Sequence, residues 1–268
     1  MVHREGKMVV ITYGDRNFKN QKKRILKSAL QFGFMTIQIY GPKDISMEFK
    51  KNTTPYIKAK RGGGYWLWKA YIIHKVFQEI ENGDIVLYLD AGFHINQNGK
   101  KRFNEYIKFM DLNKGILSFS LKGLVELEWT NLETLKYFNL NETNEIVRLE
   151  QLIAGILMFR KNKVTSELIK DFYDIALKNP NLFSDEFNYG INETFKEHRH
   201  DQSILSILRK KYNINSLQDE TWDNDFNNLN HTPFHALRLR DENFINLFRS
   251  NIRNLIVFIK KKIIMNIS

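Results

Sequence analysis

The run Gly83–His94, GDIVLYLDAGFH, constrains the fold of this chain more than any other stretch. Ile85 to Leu89 is almost wholly apolar and rich in strand-forming side chains, the signature of a strand buried on both faces of a parallel sheet. The run ends in Asp90, followed by a small residue and a glycine. Asp90 is therefore expected where the strand leaves the sheet, the edge at which open α/β sheets bind ligands. A carboxylate there is placed to hold a cation, or a ribose hydroxyl beside a diphosphate.

The rest of the sequence repeats strand and helix in alternation. Lys7–Tyr13 reads as a first strand and Gln21–Phe32 as a helix stopped by Gly33. Met35–Tyr40 is a second strand, closed by Gly41-Pro42. Trp66–Ile80 reads as a helix, with Trp68, Ile72, Val76 and Ile80 on one face. Helices follow over 101–110, 131–138, 144–152, 164–178 and 200–212, with strands over 115–120 and 155–159. This βα order predicts an α/β protein: a mostly parallel central sheet flanked by helices on both faces.

Composition excludes several classes. Of the 268 residues 43% are hydrophobic, enough for a packed core, and no cysteine is present to form a disulfide or a thiolate metal site. No apolar run approaches the ~20 residues that span a bilayer, and MVHREGKMVVITYG is not a signal sequence. The net charge of +11 suits anionic partners. The expected organisation is one catalytic domain over 1–242 and a basic amphipathic helix over 243–268. Its apolar residues are interrupted by Arg249, Arg253 and Lys260–Lys262, a pattern suited to an anionic membrane surface. No nucleic-acid-binding module is visible, and no nucleic acid is expected as a partner.

Three segments carry candidate chemistry. In RGGGYWLWK, Arg61–Lys69, the glycines can bring backbone N–H groups close to an anion, and Arg61 and Lys69 can neutralise phosphate. No GK[ST] follows, so this is not a P-loop. Tyr65, Trp66 and Trp68 suit either stacking on a ligand or core packing, with Trp68 assigned to the core. In HRHDQ, His198–Gln202, Asp201 falls in the first turn of a helix, where the dipole favours a carboxylate; an N-cap role fits equally. Glu150 and Gln151 are polar enough to bond sugar hydroxyls.

Taken together, RGGGYWLWK, DIVLYLDAG, EQLIAGILMFRKN and HRHDQSILSIL resemble, in that order, a glycosyltransferase of the GT-A type, the nucleotide-diphospho-sugar transferase fold. The likeness is to bacterial and viral enzymes with GYWxWK and YxDAG segments. It implies hexosyl transfer from a nucleotide sugar to a glycan or lipid-linked acceptor, in surface glycan or polysaccharide synthesis, in the cytoplasm or on the cytoplasmic membrane face. It also implies roles. Thr12, Tyr13 and Gly14 hold the base and ribose; Lys69 faces the nucleotide sugar. Asp90 is the first acid of a DxD motif, with Ala91 and Gly92 beside the donor. Ala154 and Gly155 form the sugar wall. Gln202 binds the donor, and Asp201 is a catalytic carboxylate, either acceptor base or sugar ligand. A divalent cation, Mn2+ or Mg2+, is implied with Asp90 and His235 as ligands. Here the sequence departs from the pattern, because Gly92 replaces the second acid; His94 lies two residues beyond. Arg238 and Arg240 are candidates to grip phosphate. A nucleotidyltransferase is the runner-up among enzymes, but GDRNFKN is a poor match to its loop. A basic, non-catalytic binder is the reading from another class.

Overall fold

A computed structural model describes residues 6–223 and 225–237. Both the domain boundary at 242 and the basic segment 243–268 lie outside the described residues, as do Arg238 and Arg240. The fold is α/β. Strands β1 (Met8–Tyr13), β2 (Thr36–Tyr40) and β3 (Ile85–Leu89) are parallel neighbours, and β1 lies in the middle. Three short strands come next in the chain. They are β4 (Phe93–Ile95), β5 (Ile116–Leu117) and β6 (Phe119–Val125). β7 (Glu150–Leu152) and β8 (Ile156–Arg160) follow. The central sheet has the order β2-β1-β3-β8-β5, and β8 runs antiparallel to both its neighbours. The sheet is thus largely parallel, with one reversed strand that the alternation alone did not predict. Outside it, β6 pairs with β7 and with β9 (Leu217–Gln218), and β4 pairs with β10 (Phe234–Ala236).

Alternation along the strands sorts side chains into two cores. Val9, Ile11, Val86, Tyr88, Leu157 and Phe159 join one cluster; Val10, Leu87, Leu89, Ile156 and Met158 join the other. Helices α1 (Lys19–Phe32), α2 (Leu67–Glu79) and α3 (Lys100–Leu112) come first in the chain. α4 (Lys163–Lys178) and α5 (Asp201–Lys211) follow. α1 and α3 cover the second cluster, whereas α2, α4 and α5 cover the first. α2 is apolar almost all round, so Lys69 is carried inward with Leu67, Trp68 and Ala70. A helix of that kind belongs between a sheet and other helices.

Two expectations are corrected. Residues 144–152 do not form one helix: a single turn, Glu145–Arg148, gives way to β7. Packing decides this. The amide of Leu152 donates to Ser206 Oγ at 2.7 Å, and its carbonyl accepts from Arg209 at 2.9 Å, both from α5. The second correction concerns the glycine run. Gly62, Gly63, Gly64, Tyr65 and Trp66 all have positive φ, between 50° and 104°, which makes one left-handed turn ahead of α2. Each non-glycine residue in that region costs about 1–2 kcal/mol, so glycines carry most of the turn. Contacts demand them as well. A Cβ on Gly64 would lie 2.5 Å from the Ile57 carbonyl oxygen, and one on Gly62 would enter the Trp66 ring. The amides of Gly63, Gly64, Tyr65 and Trp66 donate to the carbonyls of Lys60, Arg61 and Gly62. They are spent within the turn and do not form an anion cradle.

Gly64→Ala is therefore expected to destabilise the fold. The dihedral alone costs about 1–3 kcal/mol, and the clash with Ile57 adds to it. A melting temperature lowered by roughly 5–10 °C is the expected reading; an unchanged one would remove the left-handed turn from the description.

Candidate active site

Asp90 continues the face of Val86 and Tyr88 past the end of β3, and the Tyr88 hydroxyl donates to Asp90 Oδ1. That face meets α2, which delivers Lys69. The Lys69 ammonium donates to Asp201 Oδ2 at 2.5 Å and to the Ala154 carbonyl at 3.0 Å, and lies 3.5 Å from Asp90 Oδ1. Asp201 comes from the first turn of α5, the place expected for it. Lys69 is 2% exposed and Asp201 4%, whereas the Asp90 side chain is 39% exposed. One buried cation thus joins a buried and a half-open carboxylate from three separate elements. Burial alone would lower the Lys69 pKa, but Asp201 and Asp90 together outweigh it and hold the ammonium above its ordinary value.

The linker between β7 and β8 is fixed by the same means. Buried Arg209 donates to the carbonyls of Leu152 and Ile153, each at 2.9 Å, and to Ser118 Oγ at 2.9 Å. Burial among these neutral acceptors lowers its pKa to about 9. Lys69 holds the next carbonyl, that of Ala154, and the Asp90 amide donates to the one after, Gly155, at 2.8 Å. Gly155 packs closely here: a Cβ would lie 3.1 Å from Asp90 Oδ2 and 3.2 Å from the Phe93 ring, tighter than ordinary contact.

Two cavities meet at this point. The larger, of about 660 Å³, is lined by Tyr13, Phe18, Pro42 and Trp68 toward one end and by Asp90, Gly155 and Gln202 toward the other, with Lys60 and Arg199 as its cationic side chains. The smaller, of about 290 Å³, is lined by Lys69, Ala154, Asp201, His200, Arg61 and Glu197 among others. Trp66, Asp90, Gly155, Arg199 and Gln202 belong to both walls.

Most of the residues singled out in the sequence come together here. Tyr13, Gly14, Ala91 and Gly92 line the larger cavity, Arg61, Lys69, Ala154 and Asp201 the smaller, and Asp90, Gly155 and Gln202 both. Tyr13 stacks on Trp68 with ring centroids 3.8 Å apart, so Trp68 is both core and cavity wall. Thr12 is buried and lines neither cavity. Arg61 pairs with Asp185 and Glu197 at the rim. Glu150 accepts from the Gly123 amide away from both cavities, and Gln151 is fully buried; neither meets a sugar directly. Arg199 belongs to the HRHDQ cluster marked in the sequence, whereas Phe18, Pro42 and Lys60 were not singled out, because nothing in their local sequence marks loop residues that long-range folding brings to one cleft.

The two histidines beside Asp201 are structural in their bonding. His198 accepts the Asn131 amide at Nδ1, and its Nε2–H donates to the Leu182 carbonyl at 2.8 Å. Burial pushes its pKa down to about 3. His200 bonds the Phe183 carbonyl through Nδ1 and stacks on Trp66, and burial lowers its pKa too.

The side chains described do not fit a divalent cation. Among the described residues, no three His, Asp or Glu side chains gather as ligands. His235 sits in β10 opposite His94, its Nε2 on the Leu229 carbonyl at 2.9 Å, and lines neither cavity. Asp90 already faces the Lys69 ammonium, which repels an incoming cation. Among the described residues, no helix is long and apolar enough to cross a membrane.

No protein-family model matches the chain, and no curated protein matches it. Solved structures do. A glycosyltransferase involved in glycosylation of the major capsid of PBCV-1 is 11% identical, covers 88% of this chain and 97% of its own, and superposes with a TM-score of 0.42. The apo form of the glycosyltransferase GlyE of Streptococcus pneumoniae TIGR4 is 20% identical over 80% of this chain and 46% of its own, with a TM-score of 0.41. Mouse xyloside xylosyltransferase 1 is 12% identical over 86% of this chain and 97% of its own, with a TM-score of 0.44. At such distances the likeness says nothing of chemistry.

His198 gives a pH prediction. Its folded pKa is depressed, so its contribution to stability is fully present above the unfolded pKa near 6.5 and drains as pH falls toward about 3. Acidification from pH 6.5 to 5 should cost up to about 1.4 kcal/mol per unit from this group. Denaturation midpoints followed across that range should flatten in His198→Gln, which keeps a donor for Leu182 but does not titrate. An identical slope in the variant would refute the assignment.

Proposed function

We propose that the protein is a GT-A-type glycosyltransferase that moves a sugar from a nucleoside-diphosphate donor to a hydroxyl of a glycan or lipid-linked acceptor, as the sequence resemblance implies. The observation that carries this reading is the Asp90–Lys69–Asp201 bridge, placed where the two cavities share a wall at the C-terminal edge of β3. The larger cavity has the volume for a nucleotide sugar. Tyr13, Phe18 and Pro42 flank the base, Lys60 and Arg199 neutralise the diphosphate, and the sugar lies against Asp90, Gly155 and Gln202. The acceptor hydroxyl enters from the smaller cavity.

Departure of the diphosphate is the costly event, and fixed cationic side chains lower its barrier by stabilising the charge that develops. Asp201 gives Oδ2 to the Lys69 ammonium, which leaves Oδ1 to accept from a sugar or acceptor hydroxyl, and burial raises its pKa above the ordinary carboxylate value, so both of its roles, sugar ligand and acceptor base, stay open. A cytoplasmic setting belongs to this reading. No step is routed through a metal, since the described side chains do not make a site for one.

Donor class is tested by thermal shift against a panel of nucleotide sugars, where saturation at a hundred times Kd adds about 2.7 kcal/mol to stability. The expected result is a shift with one donor class. Asp90→Asn should then lower turnover about a hundredfold or more while keeping the melting temperature. Arg199→Gln should narrow the preference for the nucleoside diphosphate over the monophosphate about tenfold, the loss of one charge-assisted bond. No shift with any donor, or full turnover in Asp90→Asn, would overturn the function.

A further inference from the structure

Gln202 stands in the wall common to both cavities, yet an amide can offer that wall either a carbonyl oxygen or an NH2 group. A buried relay behind it decides which. Glu126, fully buried, accepts from Thr130 Oγ1 at 2.8 Å, from the Lys210 ammonium at 2.7 Å and from the Ser206 hydroxyl. A carboxylate and a carbonyl only accept. Glu126 Oε2 lies 3.0 Å and the Trp129 carbonyl 3.1 Å from the same end of the Gln151 side chain. Ser203 Oγ lies 3.1 Å from that end and already donates to Trp129. That end of Gln151 must therefore be its NH2 group. Its other end, Oε1, lies 2.7 Å from Gln202, which must answer with its own NH2. The Gln202 carbonyl oxygen is what remains for a ligand.

We propose that Glu126 and Gln151 are positioning residues that fix the amide orientation of Gln202, so that the wall between the cavities presents a carbonyl acceptor to a sugar hydroxyl. The inference rests on the glycosyl-transfer reading for its substrate, but the orientation itself stands on the relay. Neither Glu126 nor Gln151 lines a cavity. Both act through Gln202. The buried Lys210–Glu126 pair sets one acceptor against Gln151, and the Trp129 carbonyl sets a second.

The test uses Gln151→Met, which keeps the volume and removes both polar ends. In the wild-type protein the side-chain amide protons of Gln202, assigned by 15N NMR, should exchange slowly; in Gln151→Met they should exchange freely. Equal exchange in the two proteins overturns the proposal. In transfer assays, Gln151→Met should lower kcat/KM about tenfold in the wild-type background and by less than about twofold in Gln202→Ala, because the lost interaction is already absent there. A tenfold loss in both backgrounds would mark Gln151 as merely structural and overturn the proposal. Should Gln151→Met fail to fold, Gln151→Leu, which also removes both polar ends, takes its place with the same two readouts. A wild-type protein inactive with every nucleotide sugar would sink the glycosyl-transfer reading alone; the amide exchange would still decide the orientation.

Discussion

The Lys69 ammonium is the interaction on which the site depends. Removing a charge from water costs several kcal/mol, and only close partners with good geometry offset it. Lys69 has three donors and three acceptors: Asp201, the Ala154 carbonyl and Asp90. Each acceptor lies on a different element, so one side chain sets the spacing between the end of β3, the linker before β8 and the start of α5. The left-handed turn ahead of α2 contributes to the same end. By reversing the chain tightly over Gly62–Trp66, it starts α2 at Leu67 with Lys69 facing the sheet. In the sequence the glycines suit a close approach of backbone N–H groups to an anion; their work is to aim a lysine.

A second buried cation completes the arrangement. Arg209 takes the two carbonyls that precede the one held by Lys69, so the segment Leu152–Ala154 is gripped at three successive oxygens. A linker held in this way cannot drift into the cavities. It also explains why the sequence EQLIAG leaves helix for strand: the carbonyls that a helix would have used internally are claimed by cations from α2 and α5. The partial exposure of Asp90, against the burial of Lys69 and Asp201, makes it the most open member of the trio, though all three line the smaller cavity.

Much of this was legible in the sequence, and the exceptions have physical causes. The strand ending in Asp90 was readable because a buried strand must be apolar and its first carboxylate must mark its exit. Lys69 was marked as a cation beside the glycine run and by its match to the resembling enzymes; its buried pairing with Asp201 was not legible. The first-turn position of Asp201 was readable from the sequence, but its role in the site came from the resemblance of the HDQ block. By contrast, β4 and β10 are three residues each and pair over a gap of well over a hundred positions; no local pattern announces such a contact. Their pairing withdraws His235 from the role the resemblance gave it. The sense of β8 was equally hidden, since an apolar run fixes burial but not direction. Thr12 fell one residue short: alternation on β1 turns Tyr13 to the cleft and Thr12 into the packed interior.

Buried polar groups usually cost stability relative to apolar ones of the same shape. This protein keeps Lys69, Asp201, Glu126, Arg209 and Lys210 inside, or nearly inside, one region. The expense makes sense if orientation is what is being fixed. An apolar core can place a side chain but cannot tell the two ends of an amide apart, nor hold two carboxylates at a set spacing. A cation between two carboxylates does the second, and a carboxylate and a backbone carbonyl behind two glutamines do the first. Gly155 shows how closely the parts are fitted, because a Cβ there would press to 3.1 Å on Asp90 Oδ2. A wall built this way resists piecemeal change, since enlarging any one member displaces a charge whose partner lies on another element.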